Sequence, residues 1–158
     1  MGEPITFEEA KETDFEEILS LINTLNLEWF SKIIPKEYYK EPFLTRKQFD
    51  EMTSYMEFFI HTKNQKIIAV GSFSTRDDET AWIPLMQVHS AYQRKGIGSQ
   101  LMKFLEDKAK ALKFSKIHLE TDGGAVWALN FYKKHGFSIF KKDKIPWGYH
   151  VWLEKILN

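Results

Sequence analysis

The sequence contains no cysteine, and its positive and negative charges cancel. Without cysteine, the chain has no disulfides, no cysteine-based metal site and no cysteine nucleophile. Its five histidines are scattered, with neither an HxH nor an HxxxH pair, so we expect no metal. Lys and Arg number 22, as do Asp and Glu, which argues against a general affinity for nucleic acid or anionic membranes.

Long apolar runs are also missing. No apolar stretch approaches the roughly 18 residues that a membrane-spanning helix needs. The segment Met1–Ala10 contains three Glu and lacks the basic start and apolar run of a secretory signal peptide. We therefore expect a cytoplasmic protein. The 158 residues, 43% of them hydrophobic, are enough for one domain with one core spanning residues 1–158.

The first half of the chain alternates short strand and helix signals. Residues Ile5–Ala10 read as a short strand. The sequence Thr13–Glu16 has the pattern of a capping box, in which a Thr hydroxyl and a Glu carboxylate satisfy backbone amides at a helix start. A second box, Thr45–Gln48, opens another helix. The aromatic stretch from Trp29 to Phe43 has no clear helix or strand pattern.

The middle and end of the chain predict further strands and two helices. Strands Glu57–Thr62, Ile67–Val70 and Trp82–Val88, separated by turns, should form an antiparallel meander. The remaining predicted elements are a helical face (Leu101, Phe104, Leu105, Ala109 and Leu112), a strand at Ile117–Glu120, a helix at Ala125–Lys134 closed by Gly136, and strands Phe137–Lys142 and Tyr149–Lys155. The predicted fold is α/β, with a mixed, mostly antiparallel central sheet and helices on both faces.

The most informative segment, Val88–Ser99, joins a predicted strand to a long helix. A helix start presents free N–H groups and the positive end of the helix dipole, which together bind phosphate. Gly96 and Gly98 would let the backbone approach a pyrophosphate, and Arg94 and Lys95 add positive charge. The alternative is a tight turn with two surface cations. The pattern is neither a Walker P-loop nor the dinucleotide fingerprint.

Two motifs resemble those of one family. Gln93–Gly98 is similar to the Q/R-x-x-G-x-G/A signature of GNAT-type N-acetyltransferases, in the same strand–loop–helix context. Ala128–Phe137 resembles the family element A-x-x-[LF]-Y-x-x-x-G-F. The spacing between the two motifs fits one helix and one strand. Together they cover roughly the second half of the chain, whereas the first half matches only in its order of elements.

The resemblance implies a site for acetyl-CoA. In the family, the strand before the signature splays from its neighbour and the pantetheine arm lies in the gap. The Val88 N–H would then polarise the thioester carbonyl. Ala125 stands where many members have an asparagine that contacts the coenzyme. The coenzyme-binding residues implied are Met86, Gln87, Val88, Gln93, Arg94, Lys95, Gly96, Ile97, Gly98 and Ser99.

The resemblance also implies catalytic residues. Tyr132 matches the family tyrosine near the coenzyme sulfur, where it could protonate the departing thiolate; otherwise it is a core aromatic. Glu120 matches the base of the ribosomal-protein N-terminal acetyltransferases; otherwise it is an ordinary exposed glutamate. His89 and His118 are alternative bases. Trp82 occupies the position of the catalytic glutamate of histone-type members, so that arrangement is absent.

The sequence does not identify the acceptor. Family members often build its pocket from two aromatic regions, here Trp29, Phe30, Tyr38 and Tyr39, then Trp147, Tyr149, His150 and Trp152, although these residues could equally be core. Small amines, polyamines, peptide N-termini and protein lysines all fit. We expect direct attack of a primary amine on acetyl-CoA in a ternary complex. The alternatives are a catalytically silent acyl-CoA-binding module and a nucleotide-phosphate binding protein. The expected partners are acetyl-CoA, the acceptor and, if the chain self-associates, a second copy in a homodimer.

Overall fold

One sheet organises the protein, which we describe from a computed structural model covering residues 5–158. The strand order is β1-β2-β3-β4-β6-β8-β7, and β5 pairs with β3. Every pairing is antiparallel except β4 with β6. The strands are β1 (Glu8–Glu9), β2 (Glu57–Lys63), β3 (Lys66–Thr75), β4 (Thr80–Trp82), β5 (Met86–Val88), β6 (Lys116–Asp122), β7 (Ser138–Ile145) and β8 (Gly148–Ile156).

Helices cover both faces of this sheet, which confirms the predicted fold class. They are α1 (Phe15–Trp29), α2 (Arg46–Thr53), α3 (Ile97–Ala111) and α4 (Val126–Lys134). Side chains alternate across a strand. In β2, Phe58 therefore joins the core beneath α1 and α2, while Phe59 joins the core beneath α3. Leu129 and Tyr132 of α4 pack against that second core, so α3 and α4 share a face.

One predicted helix cap is correct and the other is wrong. Before α2, the Thr45 hydroxyl accepts from the Gln48 N–H at 3.1 Å, and the Gln48 side chain accepts from the Thr45 N–H at 2.8 Å. Before α1, a 3-10 turn occupies Glu12–Asp14, so Thr13 does not cap the helix. The carboxylate of Asp14 accepts from the Lys11 N–H at 2.8 Å instead, which stabilises that turn.

The predicted strand Trp82–Val88 is in fact two strands. Ser74 of β3 lies opposite Trp82 and Gly71 lies opposite Met86, so three steps along β3 match four steps along its neighbour. The extra residue is a β-bulge, which bends the strand. Beyond β4, the Ile83 N–H still donates to the His118 carbonyl at 3.1 Å. Beyond that hydrogen bond, the chain pairs with β3 as β5 and separates from β6.

Two turns have the backbone conformation that their sequences favour. Asn64 and Gln65 join β2 to β3 with φ values of 52° and 65°, as a two-residue hairpin turn requires. Gly136 follows α4 with φ at 92°, so the predicted glycine stop is correct. In the unassigned stretch after α1, regular structure is limited to a 3-10 turn at Phe30–Lys32. None of the helices described is long and apolar enough to cross a membrane.

Candidate active site

A cleft of about 550 Å³ opens where β5 and β6 separate. It passes through the sheet. Tyr132 and Phe131 of α4 line it on the α3 side, and Leu25 and Trp29 of α1 line it on the other. Of the predicted coenzyme-binding residues, all line this cleft except Lys95 and Ile97.

The backbone of β5 directs N–H and carbonyl groups towards this cleft. The His89 N–H donates to the Ile68 carbonyl at 2.7 Å, and the Ser72 N–H donates to the Leu85 carbonyl at 2.8 Å. Hydrogen-bonded pairs alternate along an antiparallel ladder. The N–H and carbonyl groups of Met86 and Val88 therefore point away from β3 and towards β6. This is the edge at which an extended ligand could pair like an added strand.

The loop before α3 is bent by two left-handed residues. Arg94 has φ at 61°, and Gly96, the N-cap of α3, has φ at 82°. The Gln93 side-chain amide donates to the Val88 carbonyl at 2.9 Å, which ties the loop to the end of β5. The N–H groups of the first turn of a helix have no partner within the helix. Here they begin with Ile97, directly beside the cleft.

Positive charge and a close backbone approach accompany this helix start. Arg94 and Lys134 both line the cleft. Gly98 lies against Phe131, and a Cβ there would stand 3.3 Å from the Phe131 ring. The Ser99 hydroxyl lies 3.0 Å from His135 Nε2. These features make the end of the cleft near α3 suited to phosphate groups.

Tyr132 lies on α4 with its phenol at the cleft. Its ring packs edge-on against those of Phe131 and Phe137. Burial raises the pKa of Tyr132 to about 12. Burial disfavours the charged phenolate, so the hydroxyl stays protonated at neutral pH and can donate a hydrogen bond.

Glu120 lies in β6 and does not line the cleft, although the next residue, Thr121, does. Its carboxylate is paired with Arg76 and lies 2.9 Å from His150 Nε2. The hydrogen bond to Glu120 raises the pKa of His150. Arg76 is held between two rings, 4.9 Å from the Trp82 centroid and 4.7 Å from that of Trp152. The sequence interpretation missed Arg76 because it lies in a predicted surface turn.

The two alternative bases make other contacts. His89 Nδ1 accepts from the Ala91 N–H at 3.1 Å, within the turn after β5. His118 Nε2 lies 2.7 Å from Glu154. Neither histidine lines the cleft. Within residues 5–158, no three His, Asp or Glu side chains come together as metal ligands do.

The first aromatic region is divided between two places. Trp29 and Phe30 line the cleft, together with Trp127 of α4, which the sequence interpretation missed. Tyr38 instead packs on Trp147, with ring centroids 5.2 Å apart, and that indole donates to Asp122 at 2.6 Å. The spacing between Trp127 and Phe131, one turn of helix, is the signal that could have placed Trp127 at the cleft.

Comparison with known proteins identifies the family of this chain. The model of the Acetyltransferase (GNAT) family matches residues 19–137, well over half of the chain. The chain therefore belongs to the GNAT acetyltransferase family.

Individual proteins match this chain at low sequence identity or over a short length. A GNAT-family acetyltransferase from Staphylococcus aureus Mu50 superposes with a TM-score of 0.77 at 19% identity, covering 98% of this chain and 100% of that one. A GNAT-family acetyltransferase from Elizabethkingia anophelis, solved with acetyl-CoA bound, gives 0.67 at 20% identity, covering 97% and 98%. Probable N-acetyltransferase 14 of Xenopus tropicalis is 37% identical over 65 residues, 41% of this chain. The chain spans only 32% of that relative's length.

Proposed function

We propose that this protein transfers the acetyl group of acetyl-CoA to a primary amine by direct attack in a ternary complex. One observation carries the proposal. The free edge of β5, the start of α3 and the Tyr132 side chain all line a single cleft, whose walls include residues from both faces of the sheet. That arrangement provides for an extended arm, a phosphate group and a reacting centre in one continuous space. Acetyl-CoA bound to the Elizabethkingia relative supports the choice of coenzyme.

The coenzyme would bind by its backbone-like arm and its phosphates. The pantetheine amides would pair with the N–H and carbonyl groups of Met86, which face the cleft, and the Val88 N–H would serve the thioester oxygen. The pyrophosphate would lie on the first N–H groups of α3, near Arg94 and Lys134. Ile97 would contribute its backbone only, because its side chain is buried, and the Lys95 ammonium lies 5.7 Å from the ring centroid of Tyr92, which lines the cleft.

The chemistry requires three tasks of the protein. The amine nitrogen attacks the thioester carbon, and the Val88 N–H stabilises the negative charge that develops on its oxygen. As the carbon–sulfur bond breaks, Tyr132 donates a hydrogen bond, or its proton, to the thiolate. The attacking nitrogen loses one proton, and the coenzyme thiol gains one. Glu120 would accept the proton lost by the attacking nitrogen through a water molecule, because its carboxylate does not line the cleft.

The first test is binding followed by turnover. Acetyl-CoA should raise the melting temperature, as a ligand selective for the folded state must, while ATP and NAD should not. A panel containing a small amine, a polyamine and a peptide N-terminus should then show release of free thiol with at least one acceptor. No thermal shift up to millimolar acetyl-CoA would contradict the proposal. Binding without transfer to any amine would favour a silent acyl-CoA-binding module.

A cytoplasmic location and a homodimer stay predictions. Light scattering coupled to size-exclusion chromatography tests the second. A mass matching one 18.7 kDa chain would exclude a stable dimer.

A further inference from the structure

The walls of the cleft on the α1 side are aromatic. The Trp29 and Trp127 ring centroids lie 5.4 Å apart, and those of Phe30 and Trp127 lie 5.5 Å apart. Leu25 continues the same surface and is 4% exposed. If the coenzyme lies along β5 and α3, this surface is what an acceptor meets when it enters from the opposite face.

No carboxylate lines the cleft within the part of the chain that the structure describes. The nearby acids are committed elsewhere. Glu28 accepts from the Ser90 hydroxyl, and Glu120 is paired with Arg76 and His150. Both oxygens of Asp122 accept hydrogen bonds, from the Gly124 N–H at 2.8 Å and from the Trp147 indole at 2.6 Å.

The charges that are present at the cleft are positive. Arg94 and Lys134 line its end near α3, where the phosphates are proposed to bind, and on the α1 side the Lys32 ammonium stands 5.4 Å from the Trp29 ring centroid. An ammonium entering here would lose its water without gaining a counter-ion. A cation–π contact returns only about 0.5–2 kcal/mol, and the Lys32 ammonium beside Trp29 opposes it. The cleft is therefore built for an acceptor that arrives uncharged.

Two polar atoms of the wall lack partners among the described residues. They are Gln87 Oε1, an acceptor, and Trp29 Nε1, a donor. Both residues line the cleft. Gln87 points to the α1 side, because it alternates along β5 with Met86, which packs against the core beneath α3. Both atoms are buried within the wall, so a bound amino group would reach Gln87, and a polar substituent of the acceptor would reach Trp29, once these side chains turn towards the cleft.

We propose that the acceptor is an aromatic amine, whose amino group is uncharged at neutral pH and whose flat ring packs against Trp29, Phe30 and Trp127. This inference rests on the proposed function. It narrows the acceptors to weakly basic aryl amines and excludes polyamines. It also suits a distant base, because an aryl amine needs no deprotonation before attack and loses its proton readily once the new carbon–nitrogen bond has formed.

The test compares acceptors of different basicity, two of which share a para-substituted ring. The probes are 4-methylaniline, 4-methylbenzylamine and spermidine, each with acetyl-CoA at pH 7. We expect kcat/KM for 4-methylaniline to be at least about 10-fold above that of either alkylamine, which corresponds to about 1.4 kcal/mol. A preference for spermidine or 4-methylbenzylamine, or no turnover of 4-methylaniline, would overturn the inference.

Two variants locate the effect. Gln87→Glu places a carboxylate in the cleft with little change of shape, so the preference for 4-methylaniline over 4-methylbenzylamine should fall at least about 10-fold. Trp127→Leu should raise KM for 4-methylaniline, whereas Tyr55→Leu, an exposed aromatic outside the cleft, should not. An unchanged preference in Gln87→Glu would overturn the placement of the amine.

Acetyl-CoA affinity, measured by calorimetry for every variant, separates the two proposals. If acetyl-CoA fails to bind the wild-type chain, the proposed function itself is wrong. If it binds and alkylamines are the better acceptors, only the assignment of an aryl amine is wrong.

Discussion

Replacing Tyr132 with Phe removes one hydroxyl group from the cleft and keeps the ring. The ring packs against Phe131, Phe137 and the core, so Tyr132→Phe should fold normally. Acetyl-CoA affinity should change little, because the backbone of β5 and the start of α3 carry the proposed binding. The expected loss is in kcat.

The size of that loss follows from the raised pKa of Tyr132. The pKa is about 12, whereas an ordinary thiol has a pKa of about 8.5, so complete proton transfer to the thiolate is uphill by about 5 kcal/mol. Tyr132 should therefore act mainly as a hydrogen-bond donor. A hydrogen bond to a charged group contributes about 1.5–3 kcal/mol. We expect kcat to fall by about 10- to 150-fold.

The assay measures thiol release at saturating acetyl-CoA from pH 6 to pH 9, with Tyr55→Phe as the matched control, since Tyr55 is exposed and lies outside the cleft. The two profiles should be parallel over this range, because wild-type Tyr132 stays protonated throughout. Equal rates in the mutant and the wild type would show that the Tyr132 hydroxyl has no role in the reaction and that the ring serves only in packing. A loss above about 10⁴-fold would show that full proton transfer is required, and the reasoning from the pKa would be wrong.

Three further predictions concern the loop, the base and the histidine beside it. Gly98→Asp should raise the Kd for acetyl-CoA by about 100-fold through charge repulsion, whereas Gly98→Ala, which meets the same Phe131 ring, should raise it by less than about 10-fold; equal effects in titrations would mean that the phosphates lie elsewhere. Glu120→Gln should slow turnover of the true acceptor and flatten the acidic limb of the pH–rate profile, and wild-type kinetics would exclude Glu120 as the base. The raised pKa of His150 means that its pairing with Glu120 stabilises the fold fully below pH about 6.5 and is lost as the pH rises through the folded-state pKa. His150→Gln should therefore lower the melting temperature more at pH 6 than at pH 9, and an equal loss at both would contradict this linkage.

The elements with strong local signals could be predicted from the sequence. Ile117 and Leu119 alternate with polar neighbours, and both are buried in β6 as expected. The Thr45–Gln48 box forms with both of its hydrogen bonds. In such segments the local pattern and the tertiary packing favour the same conformation, so the secondary structure can be predicted from a single sequence.

The sequence predictions fail where the local structure depends on a residue or strand that is distant in the sequence. Nothing within Trp82–Val88 shows that β4 will pair with both β3 and β6 whereas β5 pairs with β3. That difference depends on strands that are distant in the sequence. Arg76 is 44 residues from Glu120 and looks like part of an ordinary charged turn, yet it holds that carboxylate. The box predicted at Thr13 failed because Asp14 accepts from Lys11 and shifts the start of the helix.

The bulge between β4 and β5 has a consequence for how this chain can change over generations. The opening beside β5 depends on how many residues separate Trp82 from Met86 and only weakly on which residues they are. Substitutions in this segment leave the count unchanged and should be accepted as long as strand pairing survives. Deleting one residue would restore an unbroken ladder against β3 and draw β5 towards β6. The buried Ile83 must stay apolar, but substitutions elsewhere in the segment should be tolerated better than the insertion or deletion of a single codon.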